Sequence, residues 1–246
     1  MSPENHESQR VALITGASKG LGRTLATLLA AQGYHLVITA RGAAGLKETA
    51  RELSDYEITI DVLAGDVNNP AHRQKIIERV QAAGRLDLLV NNASTLGPVP
   101  MPAMSEYPAN GLVDVFNTNV IAPVALIQAA LPLLKAGDGL VVNISSDAAL
   151  GGYEGWGGYG ASKAALDLIS RTLANELRGD GISVVSVDPG DMRTDMHQAA
   201  FPGEDISDRP LPEVTLPFWV WLLGQEPQAV SGQRFQAQAA LWEAVA

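Results

Sequence analysis

The sequence predicts an α/β fold built on a single doubly wound parallel sheet with helices on both faces. Short apolar runs of strand length alternate with longer segments of helical periodicity from Val11 onward. The intervening segments run to ten residues or more, room for the crossover helix of a right-handed βαβ unit. With 246 residues, 46 % hydrophobic and 18 % charged, the chain can bury one sizeable core. In such sheets the ligand binds beyond the carboxyl ends of the strands.

The elements follow in order. VALIT (11–15) reads as a buried strand and LGRTLATLLAAQG (21–33) as a helix ended by Gly33. HLVITA (35–40) is a second strand, and EITIDVLAGD (57–66) holds a third. LDLLVNNA (86–93), GLVVNIS (139–145) and ISVVSVDPG (182–190) add three more, and RFQAQ (234–238) a shorter last one. Pro123 and Pro132 fall in the long helical pattern after Asn119, where kinks are expected. Between Asp191 and Leu216 the periodicity fails while Pro202, Gly203, Pro210 and Pro212 accumulate, the mark of a functional loop or lid. No repeat or linker divides the chain. The expectation is one domain over 1–246, with a polar tail at 1–10 and a substrate lid at 191–216.

Composition excludes several classes. A net charge of −10 with no cluster of Lys or Arg disfavours nucleic acid and anionic membranes as partners. Without cysteine there is no disulfide, thiol nucleophile or zinc-thiolate site. The four His show no ligand spacing, so no metal is expected. The first ten residues lack the apolar core of a signal peptide, and no apolar run reaches membrane-span length. A cytoplasmic location is expected.

Directly after the first strand comes TGASKGLG (15–22), opening a helix. Glycines at a strand-to-helix turn let the backbone approach a pyrophosphate, whose charge suits the amide-rich helix N-terminus. The acidic residue that would bond the ribose hydroxyls of NAD is missing after the second strand, where Ala40-Arg41-Gly42 stands instead. Arg41 and Lys19 offer charge-assisted bonds to the 2′-phosphate of NADP. NADP(H) is the expected cofactor, ahead of NAD(H).

Tyr159 and Lys163 are four residues apart at the start of a helical pattern, so they project as neighbours from one helix face. A phenol has a pKa of about 10, and an adjacent ammonium is expected to lower it into useful range. Ser146 precedes Tyr159 by thirteen residues.

Together TGASKGLG, Asp66-Val67, NNAS (91–94), Asn119, Ser146, YGASK (159–163) and PGDMRT (189–194) resemble the classical short-chain dehydrogenase/reductase family, in its order and spacing. The resemblance implies a Rossmann-type fold and nicotinamide-dependent interconversion of a carbonyl and an alcohol. It assigns Asn119, Ser146, Tyr159 and Lys163 to a catalytic tetrad. Gly16, Gly20 and Gly22 go to the cofactor's diphosphate region, and Ser18, Lys19 and Leu21 between them also bind the cofactor. Asp66 and Val67 border the adenine, and Asn91 and Ala93 line the adenosine side. Pro189, Gly190, Met192 and Thr194 hold the nicotinamide end, where Tyr159 and Lys163 also touch the cofactor. Tyr153 is set aside as the catalytic tyrosine because Gly157 stands four places on.

By the same resemblance, NADPH delivers hydride to the carbonyl carbon while Tyr159 donates a proton to its oxygen. Ser146 hydrogen-bonds that oxygen, Lys163 bonds the nicotinamide ribose, and Asn119, at a helix irregularity, anchors a proton-supplying water. The chain departs from the pattern at Ser94, where Gly is usual, and at its C-terminus, which lacks Asp-Gly-Gly. The substrate is a small carbonyl or alcohol, with Tyr153, Trp156, Met192, Met196 and Phe201 as candidates for an apolar wall. Two other readings remain: a 3-oxoacyl-thioester (acyl carrier protein) reductase, and a catalytically silent NADP-binding sensor or scaffold. A homodimer or homotetramer is expected, through the last strand and the FWVWLL segment (218–223).

Overall fold

The computed structural model describes residues 9–243, so the expected N-terminal tail lies outside it apart from Gln9 and Arg10. Seven parallel strands form one sheet in the order β3-β2-β1-β4-β5-β6-β7. They are β1 (Val11–Thr15), β2 (His35–Ala40), β3 (Ile60–Ala64), β4 (Leu88–Asn91), β5 (Leu140–Ile144), β6 (Ser183–Asp188) and β7 (Arg234–Gln236). Each falls inside its expected run. The helices are α1 (Gly20–Ala31), α2 (Ala43–Glu52), α3 (Pro70–Ala83), α4 (Ala109–Phe116), α5 (Ala122–Gly137), α6 (Ala148–Gly151), α7 (Gly157–Leu177), α8 (Asp195–Ala200), α9 (Leu216–Leu223) and α10 (Pro227–Val230).

Strand order reverses beside β1, which pairs with β2 on one side and β4 on the other. Chain direction splits there, leaving a crevice above the strand ends. Two apolar layers cover the faces, because adjacent strand residues point oppositely. Ile14, Leu25, Leu36, Val142 and Phe218 share one layer; Leu13, Ile76, Leu89, Leu126 and Val184 share the other.

Three expectations need correction. Ala109–Gly137 is helical throughout, with a π turn at Asn117–Ile121 joining α4 to α5. At 29 residues it is long and apolar enough to cross a membrane, against the expectation that no apolar run reaches that length. Here its buried face, Leu126, Ile127, Ala130 and Leu134, packs on the sheet. The stretch 191–216 is partly regular, since α8 occupies Asp195–Ala200. FWVWLL is not a free apolar surface. Phe218, Trp219 and Leu222 are buried, and the rings of Phe218, Trp221, Phe235 and Trp242 pack together at centroid distances of 5.4 to 6.0 Å. The Trp242 indole donates to the Gln236 carbonyl at 3.0 Å, so the chain's own C-terminal stretch covers the segment.

Candidate active site

The glycine turn lies where β1 meets the crevice. Gly16 and Gly20 have φ of 71° and 54°, a left-handed conformation costly for other residues. A Cβ on Gly16 would come within 2.7 Å of the Asn92 amide nitrogen. One on Gly22 would lie 2.4 Å from the Gly16 carbonyl. Gly22 therefore serves close packing of α1 against the turn, while Gly16, Ser18, Lys19, Gly20 and Leu21 line the cleft itself.

Asn92 and Thr15 lace the two strand ends together. Asn92 Nδ2 donates to the Thr15 carbonyl at 2.8 Å, and the Thr15 hydroxyl accepts the backbone amides of Asn92 and Ala93 at 3.0 Å each. This corrects the place given to Asn91. Its side chain is buried between strands, donating to Asn143 Oδ1 at 2.9 Å, and the cleft meets Asn92 and Ala93 instead.

The cleft has a volume of about 1100 Å³ and runs from Arg41, Asp66 and Val67, past the glycine turn, to Ser146, Tyr159 and Lys163. Arg41 is exposed at one end and makes no ion pair among the described residues. Lys19 bridges the cleft to Asp195 on α8 at 2.6 Å. The residues fit a dinucleotide phosphate: side-chain-free turns beside a helix N-terminus, and an uncommitted guanidinium beyond them.

At the other end, α7 carries Tyr159 and Lys163, both buried. The Lys163 ammonium donates to the Ile144 carbonyl at the end of β5, at 2.7 Å. Burial pushes the Tyr159 phenol well above its ordinary value; hydrogen bonds with the Ser146 and Ser94 hydroxyls pull it back, and Asp188 and Asp147 push it up. The expected depression by the ammonium is not found: the groups that lower the phenol are Ser146 and Ser94, and burial dominates them. The same burial lowers Lys163 to about 8, with Asp167 opposing, so each group disfavours its charged form. Ser146 Oγ also donates to Asp147 Oδ1 at 3.0 Å and accepts the Ala148 amide at 3.2 Å, which fixes it at the mouth of α6.

Asn119 lies in the π turn, as expected of a helix irregularity, but its side chain is spent. Oδ1 accepts from the Thr95 amide at 2.9 Å and the Ser94 hydroxyl at 3.1 Å. Nδ2 donates to the Thr95 carbonyl and to Ser162 Oγ. The side chain holds the 94–95 loop against α7 and does not line the cleft. Ser94, absent from the expected site, joins this amide to the Tyr159 phenol.

Pro189, Gly190, Met192 and Thr194 line the cleft as expected. Gln238 donates to the Pro189 and Asp191 carbonyls at 3.0 Å each, bracing this turn from the C-terminal stretch. Trp156 and Met196 form the apolar wall, with the Trp156 ring edge-on to Tyr159 at 5.8 Å. Phe201 stands behind Trp156, and Tyr153 is half exposed outside the main cleft, so neither belongs to its lining.

A family model described as short chain dehydrogenase matches residues 10–205. The chain is 33 % identical to the oxidoreductase YciK of Escherichia coli (strain K12) over 239 residues, covering 94 % of this chain and 92 % of that protein. Two solved structures of short chain dehydrogenases are 32 % identical, with a TM-score of 0.86: one from Shigella flexneri 2a str. 301 complexed with NADP, the other from Escherichia coli CFT073 complexed with NADPH. Each alignment covers 94 % of this chain and 97 % of the other.

Proposed function

Since the chain belongs to the short chain dehydrogenase family, we propose that it is an NADP(H)-dependent oxidoreductase interconverting a carbonyl compound and its alcohol, with Tyr159 as the acid. The observation that carries this reading is the cleft that begins at the glycine turn and ends on a phenol hydrogen-bonded by Ser146, beside a buried ammonium. When bound, NADPH supplies the hydride. Gly16, Ser18, Gly20 and Leu21 would hold its diphosphate, Arg41 and Lys19 its 2′-phosphate, Asp66, Val67 and Ala93 its adenosine, and Pro189, Gly190, Met192 and Thr194 its nicotinamide side.

The chain's own work is protonic. Tyr159 keeps its proton until a substrate oxygen gains charge beside it, because burial disfavours the phenolate. Ser146 Oγ turns its one proton from Asp147 Oδ1 to the same oxygen, where negative charge develops. Lys163, held by Ile144, stabilises the phenolate left after transfer. Asn119 keeps Ser94 and Thr95 in place, so any water it anchors is held by its backbone. Trp156 and Met196 exclude solvent from the reacting face.

The domain extends over 1–246 in this reading, with 191–216 as its lid and a cytoplasmic location. A homodimer or homotetramer belongs to it too, supported by the edge position of β7 and by exposed Val113, Ile121 and Leu168. The test is NADPH oxidation against a panel of ketones, aldehydes, diketones and 3-oxoacyl thioesters. Turnover of at least one class, lowered about 100-fold or more in Tyr159→Phe, is expected. Cofactor binding with no turnover of any class would favour a silent sensor.

A further inference from the structure

Arg234 begins the edge strand, opposite Ser186 of β6. An edge strand facing water needs no buried charge, yet this guanidinium is only 18 % exposed and spans three segments of the cleft. Nε donates to Asp167 Oδ2 at 3.0 Å, one helical turn beyond Lys163 on α7. Nη2 donates to the Ser146 carbonyl at 2.8 Å and to Asp188 Oδ2 at 3.2 Å. The other Asp188 oxygen accepts the Gly190 amide at 3.0 Å, in the turn that closes β6. Both carboxylates are nearly inaccessible, at 8 % and 4 %.

Two buried carboxylates this close repel one another, and a single planar fork with fixed donors can hold both while also bonding a carbonyl. The formal charges close when Lys163 is counted: Asp167 and Asp188 against Arg234 and Lys163. We propose that Arg234 is a positioning residue for the reaction, setting Ser146 through its backbone carbonyl and completing a buried four-charge set with Asp167, Asp188 and Lys163. This rests on the roles of Ser146 and Lys163 given above. The charged and titratable groups around the Tyr159–Lys163 pair are Asp167 on α7, Asp147 after β5, Asp188 at the end of β6 and Arg234 on β7. Asp167 favours the Lys163 ammonium, and Arg234 neutralises Asp167.

The chain has five lysines, so a ¹³Cε NMR titration resolves Lys163, with Lys163→Ala assigning its signal. Arg234→Gln unmasks the carboxylates and should raise the Lys163 midpoint by about 1, whereas Asp167→Asn should lower it by about as much. Arg234→Lys keeps the charge but loses the fork. It should hold the midpoint while kcat falls about 10- to 100-fold, with the NADPH Kd unchanged, because Ser146 shifts. Midpoints that move in the same direction or not at all, or a full kcat in Arg234→Lys, overturn the proposal. If Arg234→Gln does not fold, Asp167→Asn and Arg234→Lys decide it by the same criteria. If the wild type reduces no carbonyl, the proposed function fails, while the titration, which needs no substrate, still decides the charge set.

Discussion

The Lys163 ammonium sits 5.5 Å from the centroid of the Tyr159 ring, while its own hydrogen bond goes to the Ile144 carbonyl. The pair is thus anchored through the lysine to the end of β5, and the phenol is left free to meet Ser146 and a substrate. Both groups are buried and both resist ionisation.

Replacing Tyr159 by Phe removes the proton donor without disturbing the ring packed on Trp156. Turnover should fall by about 10² to 10⁴ or more, while NADPH affinity stays near wild type. Steady-state rates and isothermal titration calorimetry check this. A variant with near-normal turnover would sink the assignment.

Burying Lys163 is costly, and the cost depends on pH. Its folded-state pKa of about 8 lies below its ordinary value of 10.5, so the unfolded chain binds more protons between these limits and stability rises across them. Below pH ~8 the penalty is fully present, roughly 3 kcal/mol. Lys163→Met should therefore be more stable than wild type at pH 7. The net gain is about 1–2 kcal/mol, because the Ile144 carbonyl loses its donor. Thermal melts from pH 7 to 10 should show that advantage shrinking. A variant less stable at pH 7, or with a constant difference, contradicts the burial argument.

Arg41 should set the preference for NADPH over NADH. A hydrogen bond to a charged group is worth about 1.5–3 kcal/mol, so Arg41→Ala should weaken NADPH roughly 10- to 150-fold and leave NADH almost unchanged. Lys19 starts from an ion pair with Asp195, exposed on both sides, which contributes little and is easily surrendered to a phosphate. The Lys19→Ala/Arg41→Ala protein should lose the remaining preference. Calorimetric titration of both cofactors is the check, and a wild type that favours NADH refutes it.

The Lys19–Asp195 contact also ties the glycine turn to the expected lid. Cofactor binding should order residues 191–216, slowing their limited proteolysis by about 10-fold or more. Equal cleavage with and without NADPH would argue that this stretch, with its short α8, is rigid beforehand.

Most strands were legible because those buried on both faces read as unbroken apolar runs. β3 and β7 were harder, since edge strands leave residues exposed. The helical pattern after Asn119 was legible despite Pro123, which stands early in α5, and Pro132 in its interior; its start at Ala109 and its π turn were not. Motif spacing located the phenol, the ammonium and the glycine turn. It did not tell Asn91 from Asn92, because that depends on which residue is the last in β4. Nor did it show Ser94 meeting Asn119, which requires the π turn. The partners of Arg234 lie 46 to 88 residues away in the chain, beyond any local pattern.

Of the four tryptophans, Trp156 stands alone in the cleft wall, and Trp219, Trp221 and Trp242 gather around α9 and the last strand. The protein therefore carries two separate optical reporters. Subtracting the emission spectrum of Trp156→Phe from that of the wild type isolates the indole beside the phenol. The residual spectrum reports whether the sheet's last edge is docked. Occupancy of the cleft and integrity of the C-terminal layer can thus be read in one cuvette without an attached dye.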